Sequence, residues 1–323
     1  MNENNFIWKA YHIFYHQNQD FLITNCIKPI LDELIKKKLI SKFFFIRYWE
    51  GGPHIRVRLY CTLNKSQEVD YKFNDFVSKF LKTYPSSSTL DRNMIKNQLA
   101  KLASLEEGTE STCVRENNHI IHLEYNPEYK RYGGENGIEI AEEHFYHSSI
   151  MCLKLIQEIN KKTNRLRISI EIILSYLKAM NMNLQESIKF LEGYYLIWKR
   201  YVYSNTNNVE EFFANKYIKQ KKVIDKIVVN YFNSNNNKGM LGEKWSNHLN
   251  LTVQNLENDW DRGELIIDKD VLAYINIPQK IAFIVTSYVH MTNNRLGIMP
   301  QEEAYLSYML LCSLKSLYKS RKG

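Results

Sequence analysis

The chain is predicted to be α+β, with a sheet region first and a large, mostly helical region after it. Three observations predict this. Short aromatic and β-branched runs with period-two alternation recur up to Tyr125, separated by turn residues. Helical periodicity takes over from about Ile138. The composition is globular, 44% hydrophobic and 24% charged over 323 residues, enough for one large domain or two ordinary ones.

Trp8 to Tyr15 reads as the first strand. Asp20 is expected to cap a helix reaching about Lys38, with Phe21, Ile27, Ile30, Leu31 and Leu34 as its apolar stripe. Pro29 lies inside that stripe, so a kink or restart is expected there. Phe43 to Tyr48 and His54 to Tyr60 follow as two strands joined across Gly51-Gly52-Pro53. Ser66 to Tyr84 is expected to be helical, ended by Pro85 and the serines after it, and Leu90 to Leu105 forms a short amphipathic helix. His119 to Tyr125 is the last strand. The order is β-α-β-β-α-β, that of ferredoxin-like sheets. Residues 125–134 form a loop, and helices are expected at 139–161, 166–180, 185–205, 209–235, 240–260, 269–293 and 301–318, with a soft joint from Asn233 to Gly239. The division expected is 1–137 for the sheet region and 138–323 for the helical region packed on it.

The second hairpin strand is the most informative stretch. Alternation sets Ile55, Val57 and Leu59 on one face, and His54, Arg56, Arg58 and Tyr60 on the other. Arg47 on the partner strand is expected to join the two guanidiniums. Arginine keeps its charge and grips carboxylate or phosphate with a planar fork, so the row reads as an anion site. The plainer alternative is a wet sheet face whose arginines point at water.

Three further stretches carry polar chemistry. Arg131 precedes Tyr132-Gly133-Gly134, where the glycines permit positive φ or close backbone approach; the alternative is an ordinary turn with an exposed cation. His290 closes an apolar helix and is followed by Asn294 and Arg295; it is either a proton-transfer group or a bonded structural histidine. Glu142, Glu143, His144 and His147 share a helical segment, where packing is favoured over metal binding for want of a third ligand at a telling spacing.

A net charge of +8 and a pI near 9.0 suit an anionic partner without choosing one. The five cysteines, Cys26, Cys61, Cys113, Cys152 and Cys312, are widely spaced and include no C-x-x-C, which argues against structural zinc or a disulfide scaffold. There is no H-E-x-x-H, phosphate-binding P-loop, dinucleotide fingerprint or G-x-S-x-G. No signal peptide or bilayer-length apolar run is seen, so a soluble, cytoplasmic setting is expected and no membrane partner.

Phe44-Phe45-Ile46-Arg47-Tyr48, Gly52-Pro53-His54-Ile55-Arg56-Val57-Arg58-Leu59, Pro127 to Gly134, and His290 with Asn294-Arg295-Leu296-Gly297 occur in one order. Together they resemble the thiopeptide-type bacteriocin biosynthesis proteins, which are similar to the elimination domain of class I lantibiotic dehydratases. The resemblance runs from Trp8 to the last helix. It implies β-elimination of glutamate from glutamylated serine or threonine in a precursor peptide, giving dehydroalanine or dehydrobutyrine. It implies Arg56, Arg58, Arg131 and His290 as catalytic residues, and more weakly Arg47, His54, Tyr132, Asn294 and Arg295 as substrate-binding ones. No metal or organic cofactor is expected. The partners implied are the precursor peptide and a separate glutamyl-tRNA-dependent glutamylating enzyme, with a homodimer or a complex with that enzyme also open. The same scaffold also serves pyridine synthases, which join two dehydroalanines by aza-[4+2] cycloaddition; retention of the arginines and histidine favours elimination. A third reading is a basic RNA-binding sheet that stacks bases and contacts phosphates.

Overall fold

A computed structural model describes residues 5–88, 114–159, 162–202, 208–233, 241–267 and 281–322. The chain divides into two compact units, one of residues 1–127 and 148–158, the other of 128–147 and 159–323.

The first unit holds an antiparallel sheet of β1 (Phe6–Phe14), β2 (Lys42–Tyr48), β3 (His54–Thr62) and β4 (His119–Leu123), in the order β2-β3-β1-β4. That is the ferredoxin-like arrangement expected from the sequence. Opposed residues of an antiparallel pair share a face. The register pairs Ala10 with Arg58, His12 with Arg56 and Phe14 with His54, so these six lie on one face. Tyr11, Ile13, Phe45, Ile55, Val57 and Leu59 lie on the other and are fully buried. Helices α1 (Gln19–Leu22), α2 (Lys28–Lys36) and α3 (Ser66–Thr83) belong to this unit, and α3 packs on β1, β3 and β4. Phe73 of α3 meets Tyr11 at a ring separation of 4.3 Å.

The first helix departs from expectation at both marked residues. Its cap is Asn18, not Asp20: the Asn18 side chain accepts the Asp20 backbone N–H at 3.0 Å. The helix does restart at Pro29, by way of a π-helical stretch, Ile23–Ile27. Proline has no N–H to give to the carbonyl four residues back. The ladder widens just before it, with Lys28 N–H reaching the Ile23 carbonyl.

The second unit is helical: α4 (Tyr129–Tyr132), the first part of α5 (Gly134–Glu158), α6 (Lys162–Ala179), α7 (Leu184–Lys199), α8 (Val209–Asn233), α9 (Gly242–Asp261), α10 (Ala282–Leu296) and α11 (Pro300–Lys322). The loop expected around residue 130 thus contains a helical turn. The Leu90–Leu105 helix, Cys113, most of the 233–239 joint and the start of the 269–293 helix lie outside the described residues. Helix α11 packs on α7 and α8, and α6 packs on α9 and α10. Asn183 and Glu186 close a capping box at the start of α7. Cys26, Cys61 and Cys312 are free thiols. None of the described helices is long and apolar enough to cross a membrane.

Replacing Phe45, fully buried on the helix-covered face, with alanine is expected to cost about 3–5 kcal/mol. Tyr71→Ala, at a side chain 72% exposed, should change stability by about 0.5 kcal/mol or less. Chemical denaturation midpoints at constant slope check both.

Candidate functional site

In the first unit the strand arginines are not the wet face that alternation alone allows. Arg58 is only 7% exposed. Its Nη2 donates to His12 Nε2 at 3.1 Å, its Nη1 to the Val57 carbonyl at 3.3 Å, and its guanidinium lies 5.6 Å from the Tyr125 ring centre. No carboxylate pairs with it among the described residues. Burial, then the neighbouring Arg56, lowers its pKa to about 10, which leaves it charged at neutral pH. Arg56 lies on the Tyr48 ring at 3.4 Å, donates through Nε to His54 Nε2 and pairs with Glu50 at 3.3 Å.

Arg47 does not join them. The register sets it opposite Ile55, on the helix-covered face, where it pairs with Asp20 at 2.6 Å. His54 is buried, and both its ring nitrogens are engaged, Nδ1 with the Gly52 carbonyl and Nε2 with Arg56. The expectation of a direct substrate contact from its ring gives way to one of support. Nor is this face an open platform for bases, because His12, Phe14, Phe44, His54 and Arg58 are all buried.

In the second unit, His290 of α10 donates from Nδ1 to Glu303 Oε1 at 2.6 Å, and its ring lies on Trp198 of α7 at 4.0 Å. Glu303 is fully buried in the first turn of α11, where the positive end of the helix dipole favours a carboxylate. Its other oxygen accepts from Asn293 at 3.2 Å and from the Tyr194 hydroxyl. Ser169 in turn donates to Asn293 Oδ1 at 2.8 Å. With a carboxylate at Nδ1, the imidazole is held as the tautomer whose Nε2 carries the lone pair, ready to take a proton.

Arg131 reaches the same helix. Its Nε donates to Ser287 Oγ at 3.1 Å, and Ser287 is one turn before His290 on α10. Arg131 also pairs with Glu128 at 3.2 Å. Gly133 ends the preceding turn at φ 93°, and a Cβ there would stand 3.0 Å from Ile284 Cδ1 of α10. Tyr132 is buried between Phe145 and Tyr288 and is a core residue, its hydroxyl unpartnered among the described residues. Arg295, expected to bind substrate, is wholly buried; it donates to the Met291 carbonyl and lies 4.8 Å from the Phe145 ring, which makes it an internal anchor. The Asn294 carbonyl accepts from Gly297 at the end of α10.

His144 is likewise internal, bonded to His248 at 3.0 Å and to Tyr176 at 2.8 Å, while His147 pairs with Glu143 at 3.1 Å. Among the described residues no group of three or more His, Cys, Asp or Glu side chains could hold a metal ion. Sequence reasoning missed His12, Trp198, Tyr194 and Glu303. The acidic pair Glu302-Glu303 at a helix start was the one visible signal, and it reads first as dipole compensation.

The family described as Lantibiotic biosynthesis dehydratase C-term matches residues 8–314. The chain belongs to this family. The epidermin biosynthesis protein EpiB of Staphylococcus epidermidis is 23% identical over 303 residues, covering 93% of this chain and 25% of that protein. The chain spans about a quarter of the length of the curated relatives it matches. Among solved structures, the pyridine synthase TbtD from thiomuracin biosynthesis aligns with a TM-score of 0.73 at 17% identity, over 97% of this chain and 99% of that one. The tRNA-dependent lantibiotic dehydratase MibB from Microbispora sp. 107891 aligns at 0.55 and 15% identity, over 98% of this chain and 28% of its own. The likeness to both structures is one of fold.

The buried histidines give the fold an acid-sensitive edge. Burial, then Arg56 and Arg58, lowers the His12 pKa to about 2; burial lowers His54 to about 3 and His248 to about 4, and holds His144 well below its ordinary value. They stay neutral in the fold but take up protons in the unfolded chain below about pH 6.5, so stability is full above that pH and falls as pH drops. Each contributes a slope of about 1.4 kcal/mol per pH unit in that window. Melting temperature measured from pH 7.5 down to 5 should fall, and less steeply in His12→Gln.

Proposed function

We propose that this chain is a lyase that eliminates glutamate from glutamylated serine or threonine in a ribosomally made precursor peptide. A base removes the Cα proton, negative charge develops on the adjacent carbonyl, the Cβ–O bond breaks, and glutamate leaves as a carboxylate. The product is dehydroalanine or dehydrobutyrine. His290, with Nε2 bare, is the proton-transfer group. Arg56 and Arg58 bind the glutamyl carboxylate and stabilise developing charge, and Arg131 assists. The ester itself is supplied by a separate glutamyl-tRNA-dependent enzyme, acting on the same peptide before this one.

The observation that carries this reading is Arg58: a fixed cation, buried among a carbonyl, an imidazole and an aromatic ring, with no described anion beside it. A buried guanidinium without a counter-charge is costly, and a substrate carboxylate would offset that cost. Family membership supports the same chemistry.

Cycloaddition is the second reading, favoured by the full-length likeness to TbtD. The two differ in their demand for glutamate. Incubated with a glutamylated peptide, the protein should release free glutamate and lower the peptide mass accordingly. If it instead leaves that peptide unchanged and converts one already carrying dehydroalanines into a macrocycle with loss of the leader, cycloaddition is right. Under elimination, Arg58→Ala should slow glutamate release by about 100–1,000-fold. His290→Ala should slow it by about 100–10,000-fold. Glu303→Gln should lower kcat with little change in KM, because it disturbs the tautomer rather than the anion site. Single-turnover mass spectrometry reads all three.

A further inference from the structure

The strand arginines share a form of support that neither the fold nor the elimination reading assigns. Each is oriented by an imidazole. His54 Nδ1 lies 2.9 Å from the Gly52 carbonyl, which can only accept, so the proton sits on Nδ1 and Nε2 is bare. That bare Nε2 accepts Arg56 Nε at 3.3 Å. His12 Nε2 faces Arg58 Nη2 at 3.1 Å, and a guanidinium has only donors, so this Nε2 is bare as well. The two rings stack at 4.9 Å, and Phe14 also stacks on His54 at 4.4 Å. Both histidines are buried, and both lie on the arginine face of the β1–β3 ladder.

A carboxylate would hold an arginine more strongly, but it would also cancel the charge that an anionic guest must find. An uncharged imidazole fixes the plane of the guanidinium and leaves its charge intact. We propose that His12 and His54 are positioning residues that orient Arg58 and Arg56 through bare Nε2 atoms; Arg58 thereby keeps its positive charge for a carboxylate-bearing substrate, while Arg56 shares its own with Glu50 at 3.3 Å. The inference rests on the elimination reading for the identity of that carboxylate, the side chain of the glutamyl ester.

The test uses the full chain and three substitutions at His12, each checked for folding by thermal melting. His12→Gln keeps a neutral acceptor, His12→Phe keeps only the stack, and His12→Asp supplies an acceptor that carries charge. The expected result is a KM for the glutamylated peptide close to wild type in H12Q. In H12F and H12D, KM rises by about 10–100-fold, the worth of one charge-assisted hydrogen bond. Equal loss in H12Q and H12F would overturn the acceptor role, and a wild-type KM in H12D would overturn the charge argument. A second measurement needs neither substitution nor turnover. Nitrogen-15 spectra of histidine-labelled protein at pH 7 should show both His12 and His54 as neutral Nδ1–H tautomers. A proton on Nε2 of either would overturn the proposal. Should wild type release no glutamate, the elimination reading fails while the tautomer result still decides the positioning role.

Discussion

Arg58 is a permanent cation, removed from water and held, among the described residues, by uncharged groups. Much of the first unit can be understood as the means of keeping it there. Its strand is locked from behind, because Ile55, Val57 and Leu59 have no exposed surface and each contributes about 1.5–3 kcal/mol by burial. A slip of one residue in β3 would exchange those side chains with His54, Arg56 and Arg58. The apolar face therefore fixes which way the guanidiniums point. The price of desolvating that charge is met by the packing of the whole sheet rather than by any single partner.

The second unit solves a different problem with the opposite means. Here the buried charge is an acid, Glu303, and it gathers donors from two other helices: His290 and Asn293 from α10, and Tyr194 from α7. One carboxylate thereby aligns an imidazole and ties α11 to its neighbours. The ring of His290 rests on Trp198, so it is fixed in plane as well as in tautomer. Arg131 is tied to α10 through Ser287.

Much of this was legible in the residues. Alternation alone separated Ile55, Val57 and Leu59 from the arginines, and the succession of strands and helices pointed to a ferredoxin-like sheet, whose strand order β2-β3-β1-β4 only the structure supplies. Seven helices were expected after residue 138, and seven follow α4 among the described residues. The failures have physical causes. Arg47 was assigned to the arginine face because face parity across a hairpin depends on register, and the register pairs it with Ile55. Asp20 was taken for the cap, but Asn18 lies two residues earlier and takes that place. Glu303 could not be matched to His290 because the partners sit on different helices, and only packing brings α11 against α10. His12 looked like a strand residue among others until the ladder set it beside Arg58. Arg295 read as a polar group near the histidine, yet helical rotation over five positions turns it into the core.

The turn before α5 carries a lesson for anyone who would alter this scaffold. Gly133 combines a left-handed backbone with a neighbouring isoleucine methyl already at the limit of approach. Even the smallest chiral amino acid is therefore misfit there, on account of both its torsion and its bulk. Any side chain here must take a torsion that L residues rarely adopt and displace that methyl, so glycine is the residue best suited to the joint. Engineering of substrate range would do better to leave that joint intact and vary the surfaces around it.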